Sequence, residues 1–405
     1  MPRRRRWTPV KGTASRVYAT GERLLLGALD APGRLAARAW RAARPRAGAA
    51  PDRRDIRQVL VLRLDRIGDV LMSLPALADL RAALPGAHIR LAVGRWSEEI
   101  ARGAPVDEVL VWSAPWAGRR DEGADGAPAL VRRARALRAS GIDLALDLQG
   151  DVRANVLLAL SGAGRRVGYA NTGGGWLLTD VVPLDETVSW VEQNRRAVSQ
   201  AVGAAAGTAR ADPLTAADHA FARRFFEERG LGGRRPLVGL HPSGGRLVKQ
   251  WDLARWAEVA ARLQREFQAT VLITGSAADQ ALAAEIARRL SFAPVDLTGQ
   301  LSVRETLAVI AGLDLFLSPD TGPMHMAAAA GTPSVSVFGP SDPVRYFSAP
   351  ASARHVVVRH DLWCAPCNLI RRPPDECARG MPECLRLVTA DAVYAAAAAV
   401  LREGR

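Results

Sequence analysis

The stretch SPDTGPMHMAAAAGTP at 318–333 runs from an apolar strand pattern into Asp320-Thr321-Gly322-Pro323 and then into a helical pattern. Asp320 or Thr321 can cap that helix, Pro323 suits its first turn, and Gly322 allows close approach to the backbone. The exposed N–H groups and the helix dipole then favour an anion, best a phosphate. His325 follows Thr321 by four residues, so both can share one helical face. The alternative is a capped helix whose histidine only packs. HPSGGRLVKQW at 241–251 offers backbone donors around Ser243, Gly244 and Gly245, and an ammonium at Lys249, a set suited to a diphosphate. The chain has two lysines, Lys11 and Lys249, against 53 arginines. A lysine within the folded body therefore stands out, because Arg and Lys differ at a compact phosphate-binding point. Trp251 is expected to close the loop by packing; an ordinary surface loop is the competing reading.

The third stretch is LRLDRIGDVLMSLPAL at 62–77, where a first strand turns into a first helix. Asp69 is placed like an N-cap, and capping alone would account for it. Set beside a bound acceptor, the same carboxylate could take the proton of a hydroxyl. Gly68 would let substrate come near, Asp65 is the rival carboxylate, and Arg63 and Arg66 are candidate charge partners and acceptor-binding residues. In GSAADQ at 275–280, Asp279 could bind a ribose hydroxyl or simply start a helix. Cys364, Cys367, Cys377 and Cys384 read C-x2-C-x9-C-x6-C, compatible with a structural zinc or iron site or with free thiols. Four thiolates would leave a metal no open position, so such an ion is expected to be structural and not catalytic.

These stretches need strand–helix junctions to hold them, and the pattern supplies them. QVLVLRL (58–64) suits a strand buried on both faces, Val70–Leu84 is helical, and strands are predicted at 88–93, 107–111 and 143–148. A second series begins with a strand at 236–240, followed by helix 253–267, strand 270–274, helix 277–290 and VDLTG at 295–299. It continues through helix 302–311, strand 313–318, helix 323–330, strand 334–338 and a last helix at about 389–402. Such alternation implies doubly wound parallel sheets, whose ligands sit at the carboxyl ends of the strands. The expected architecture is α/β: two Rossmann-like domains facing each other across a cleft. The predicted divisions are a basic arm at 1–54, an N-terminal acceptor domain at 55–225, a donor domain at 226–388 carrying the cysteine cluster 364–384, and a C-terminal helix at 389–405. Residues 210–234 are expected to form the boundary, as a helix and a Gly-Arg-rich linker.

Length and charge narrow the classes further. At 405 residues, 48% hydrophobic and 24% charged, the chain is ordinary globular material, which excludes collagen-like and wholly disordered readings. No apolar run is long enough to span a bilayer as a helix, and no secretory leader is evident. The net charge is +14, yet residues 1–54 hold 14 basic against 3 acidic side chains, so the body is nearly neutral. A nucleic-acid module using the arm and a zinc-bound cysteine cluster is disfavoured, because the folded body lacks a basic face. The first turn reads RLDRIGDV rather than G-x-G-x-x-G, which disfavours a dinucleotide-dependent oxidoreductase. Within the arm, apolar residues recur at helical spacing over 14–46 with a break at Pro32-Gly33. That suits either contact with an anionic membrane surface or packing on the body. A reducing cytoplasm is the expected compartment, with peripheral attachment to the inner face of the bacterial inner membrane as an extension.

VLVLRLDRIGDVLMSLPAL, HPSGGRLVKQW, VLITGS and SPDTGPMHMAAAAGTPSVSVFGPSDP together resemble the ADP-heptose:lipopolysaccharide heptosyltransferases, glycosyltransferase family 9, over about residues 56–403. The resemblance implies the GT-B fold and inverting transfer of L-glycero-D-manno-heptose from ADP-heptose to lipopolysaccharide core without a catalytic metal. It implies Asp69 as the catalytic aspartate and Lys249 as the diphosphate-binding lysine. Asp320, Thr321, Gly322 and His325 fall on the donor block, and Asp279 lies nearest the family's donor-binding acidic residue. The cysteine segment is similar to one that holds iron in members that heptosylate proteins. A protein acceptor or another nucleotide sugar therefore stands as the alternative within the family.

Overall fold

The computed structural model describes residues 53–117, 123, 125–203, 207, 211–347, 354–367, 377 and 380–404, together with 32, 33 and 35. The chain divides into compact units at Val10–Ala211 and Asp212–Arg405. Most of the basic arm, and with it the membrane-contact segment 14–46, lies outside the described residues. Where the sequence predicts a break, Pro32 and Gly33 are helical, and Gly33 lies so close to the Trp176 ring that a Cβ would overlap it. Contact with the indole accounts for a glycine there better than helix termination does.

The first unit is built on a parallel sheet of β1 (Gln58–Arg63), β2 (His88–Val93), β3 (Glu108–Val111), β4 (Leu144–Asp147), β5 (Arg165–Gly168) and β6 (Asp180–Val181). Its strand order is β3-β2-β1-β4-β5-β6. Val59 to Leu62 in β1 are fully buried, as an unbroken apolar run between two helical layers requires. The helix Ile67–Ala83 follows β1 and packs on the helix Trp190–Val202. β5 and β6 form an edge that the sequence analysis does not anticipate. Their residues are short and partly charged, and the edge is held by Arg165 against Asp180 at 3.1 Å rather than by an apolar pattern.

The second unit repeats the plan with β7 (Leu237–Leu240), β8 (Thr270–Ile273), β9 (Val295–Asp296), β10 (Leu315–Pro319), β11 (Ser334–Phe338) and β12 (His355–Arg359), in the order β12-β11-β10-β7-β8-β9. All its pairings are parallel. The helix Leu253–Phe267 buries Trp256, Val259, Ala260, Leu263 and Phe267, the i, i+3, i+4 stripe that faces a core. The helix Ala390–Glu403 packs beside it and over the sheet. The boundary helix expected within 210–234 is Ala216–Glu228, capped by Thr215 and joined to Arg304 through Asp218, with Nε to Oδ1 at 2.9 Å. It belongs to the second unit.

In both sheets the order reverses beside the first strand, between β1 and β4 in one and between β7 and β10 in the other. Crossovers leave in opposite directions there, so the carboxyl ends of those strand pairs are left open for a ligand. No helix among the described residues is long and apolar enough to cross a membrane.

Candidate active site

In the second unit, the loop after β7 carries Lys249 and the turn after β10 carries Asp320. The two meet across the strand-order reversal, with Nζ 2.6 Å from Oδ2. Asp320 is only 5% exposed. Burial by itself would push its carboxyl up, but the Lys249 ammonium outweighs this, with His325 adding to the effect, and holds it below the ordinary range. The loop owes its shape to its glycine and its tryptophan. A Cβ on Gly244 would lie 2.5 Å from the Gln250 nitrogen, so the chain folds back on itself only with glycine there. Trp251 is buried edge-on against Trp256, with centroids 4.6 Å apart, and donates Nε1–H to the Val388 carbonyl at 3.2 Å. That anchor fixes the end of the loop next to Lys249, as expected of Trp251.

Thr321 is the N-cap of the helix Gly322–Ala330, but its side chain makes no capping bond; its hydroxyl lies 3.4 Å from the Pro319 carbonyl. Asp320, the other expected cap, is engaged by Lys249 instead. The Gly322 end of this helix therefore carries no side-chain cap. His325 is buried one turn further on, within electrostatic reach of Asp320.

Ser243 and Asp279 also come together, because the Ser243 hydroxyl bonds to the Asp279 carboxylate. The same carboxylate accepts from the backbone N–H and the hydroxyl of Ser276, both at 2.8 Å. Burial works against the Asp279 charge, and these bonds overcome it, so its carboxyl is held low. Beside them His241 is buried against Thr274, with Oγ1 to Nδ1 at 3.4 Å. Desolvation pulls its pKa down to about 4, leaving a neutral ring at physiological pH. His241 is not among the residues expected at the site, although its place at the end of an all-apolar strand was the available signal.

In the first unit, Asp69 is not the N-cap. Arg66 holds that position, and Asp69 stands three residues further on, where its Oδ2 accepts from the Arg66 N–H at 3.2 Å. Its side chain is 26% exposed, enough to meet a substrate hydroxyl. Arg63, expected at the acceptor, is 1% exposed, and protein groups occupy its guanidinium. Arg66 is less enclosed and lies over the Trp96 ring at 5.6 Å. Asp65 forms an ion pair with Arg63 at 3.2 Å.

Asp147, also not expected from the sequence, is fully buried at the end of β4. Its oxygens accept from the N–H groups of Gln149 and Gly150, each at 2.9 Å. Desolvation, only partly offset by those bonds, raises its pKa to about 7. A carboxylate closing the apolar run LALD was the signal.

The four cysteines are free thiols near one another. Burial pushes the Cys384 thiol up to about 11, and Cys367, Cys377 and Cys364 add to that through their charge. This soft, mutually repelling set fits a thiophilic cation chemically. Among the described residues, however, no three His, Cys, Asp or Glu side chains are arranged to hold a metal ion.

Two doubly wound parallel sheets, with the Lys249–Asp320 ion pair at the open strand ends of one and a partly exposed Asp69 carboxylate after the first strand of the other, define an α/β protein of the ligand-binding class. The chain belongs to glycosyltransferase family 9 (heptosyltransferase), whose profile matches residues 130–375. It is 26% identical to lipopolysaccharide heptosyltransferase 1 of Salmonella typhimurium, over 71% of this chain and 89% of that protein. Among solved structures it resembles the glycosyl transferase family 9 from Veillonella parvula, with a TM-score of 0.73 and 23% identity, covering 86% of this chain and 98% of that one. It also resembles the E. coli ADP-heptose lps heptosyltransferase II, with a TM-score of 0.67 and 22% identity, covering 85% and 99%. The two structural likenesses establish a two-domain α/β fold of the GT-B kind. The chain is a glycosyltransferase, and the nucleic-acid module and the oxidoreductase are set aside.

Because Asp147 binds a proton more tightly when folded, its contribution to stability shrinks as pH rises from its unfolded value of 3.8 toward 7. Asp147→Asn removes that titration. The unfolding free energy of the wild type relative to the variant should fall by up to about 4 kcal/mol over the interval. Urea denaturation at a series of pH values measures this, and a flat difference would refute the buried protonated carboxyl.

Proposed function

We propose that this glycosyltransferase moves heptose from ADP-L-glycero-D-manno-heptose to the lipopolysaccharide core, with inversion and without a catalytic metal. Family membership and the names of its relatives support the donor and acceptor. The observation that carries the mechanism is the Lys249–Asp320 pair at the open strand ends, beside a helix start lacking a side-chain cap. In the reaction, the acceptor oxygen attacks the anomeric carbon as the bond from that carbon to the diphosphate oxygen breaks. Asp69 receives the hydroxyl proton. The negative charge that gathers on the departing ADP meets the Lys249 ammonium and the N–H groups at Thr321 and Gly322, with His325 nearby. Asp320 serves to hold Lys249 in place, Ser243 and Asp279 bind the nucleoside side of the donor, and Arg66 meets the anionic acceptor.

Asp69→Asn should lower kcat by about 10³-fold, within the range for removing a general base, while leaving the Kd for ADP nearly unchanged. Lys249→Ala should weaken ADP by about tenfold or more, the cost of a charge-assisted contact, and also slow turnover. Mass spectrometry of products and calorimetry with ADP measure both. Wild-type turnover in Asp69→Asn would remove the base. Transfer from another nucleotide sugar in preference to ADP-heptose, or onto protein alone, would favour the alternative within the family.

The spacing and mutual proximity of the cysteines support a structural zinc or iron ion held by Cys364, Cys367, Cys377 and Cys384. Elemental analysis of the purified protein should find one metal per chain, lost in Cys384→Ser with ADP binding retained. A metal-free wild type would refute this ion.

The charge of residues 1–54 supports a cytoplasmic enzyme docked on the anionic inner face of the inner membrane through 14–46. Full-length protein should sediment with vesicles containing phosphatidylglycerol and be released by salt, whereas protein lacking 1–52 should stay in solution. Equal sedimentation of the two would assign the arm to packing on the body.

A further inference from the structure

A guanidinium is costly to bury unless its donors are met, and Arg63 is buried at the last position of β1. Its Nε donates to the Asp69 carbonyl at 3.0 Å and lies 3.2 Å from Asp65 Oδ1. Its Nη2 reaches Asp69 Oδ1 at 3.4 Å, and its Nη1 donates to the Leu148 carbonyl. The Trp190 ring lies beside the guanidinium, 5.9 Å from centroid to Cζ. The Leu148 carbonyl is itself fixed, because buried Asp147 ties down the next two N–H groups, those of Gln149 and Gly150. One planar cation thus links the ends of β1 and β4 to both the main chain and the carboxylate of Asp69.

We propose that Arg63 is a positioning residue for transfer. It sets the Asp69 carboxylate by gripping Oδ1 from below, while the Arg66 N–H holds Oδ2, so the remaining lone pairs face the substrate. This rests on the reading of Asp69 as the base. Arg63 touches no substrate. The fork geometry matters, because a lysine at this depth carries the same charge but cannot reach the Leu148 carbonyl, the Asp69 carbonyl and Oδ1 together.

The test is steady-state kinetics of Arg63→Met and Arg63→Lys with ADP-heptose and acceptor, alongside ADP calorimetry and crystal structures of wild type and variants. Arg63→Met should lose about 10²-fold in kcat, the scale of a misplaced catalytic group, with KM for the donor and Kd for ADP within about threefold. Arg63→Lys should recover about tenfold of that loss, because it restores the charge without the fork. In the Met crystal the Asp69 carboxylate should sit about 1 Å or more from its wild-type place. Wild-type kcat in a folded Met variant overturns the proposal, as does an unmoved Asp69 carboxylate. If the Met variant does not fold, Arg63→Lys decides alone: a lowered kcat at unchanged KM supports positioning, and wild-type kcat overturns it. If wild-type protein transfers no heptose, the functional reading has failed. The crystallographic comparison still tests Arg63 on its own.

Discussion

The reversal of strand order within each sheet governs the rest of this structure. Helices cover both faces of a parallel sheet, so most strand ends are capped by the next crossover. Only where crossovers depart in opposite directions does a pair of carboxyl ends stay open. In the second unit that place lies between β7 and β10, and Lys249 and Asp320 bridge it. In the first it lies between β1 and β4, and Arg63 bridges it to Leu148. The same topological gap, filled by an ion pair in one unit and by a buried arginine in the other, brings the chemistry-bearing side chains to defined positions.

Buried charge is the means of that definition. Asp320, Arg63 and Asp147 all sit where water cannot solvate them, and each responds as its neighbours dictate. Asp320 stays ionised because an ammonium is in contact. Asp147, whose two backbone donors and the Arg63 charge do not offset its burial, is pushed toward neutrality. His241 is stripped of its proton by the same desolvation. Such groups cost stability unless satisfied, so their bonding partners are ordered with them. Order of that kind is what a catalytic carboxylate and a diphosphate cradle require.

Much of this was legible along the chain. The apolar runs, the helix stripes and the turn residues placed nearly every central element, and Lys249 stood out through lysine scarcity alone. Asp69, Asp320 and Ser243 could be found because each lies within six residues of the end of a strand. The short polar strands β5 and β6 were hidden, because pairs such as Arg165 with Asp180 hold them and periodicity does not record such pairs. Asp147 was hidden in a run that read simply as strand.

The sequence by itself determined which residues follow each strand, because local pattern dictates strand and helix and a parallel sheet sends every strand end to one edge. Only the tertiary structure decided what those residues touch. It turned Arg63 inward onto Asp69, moved Asp69 from the cap to the third helical position, and drew Asp320 from the helix start to Lys249. The reason is that burial and pairing depend on neighbours brought in from distant strands. Leu148 is 85 residues from Arg63, and Asp320 is 71 from Lys249.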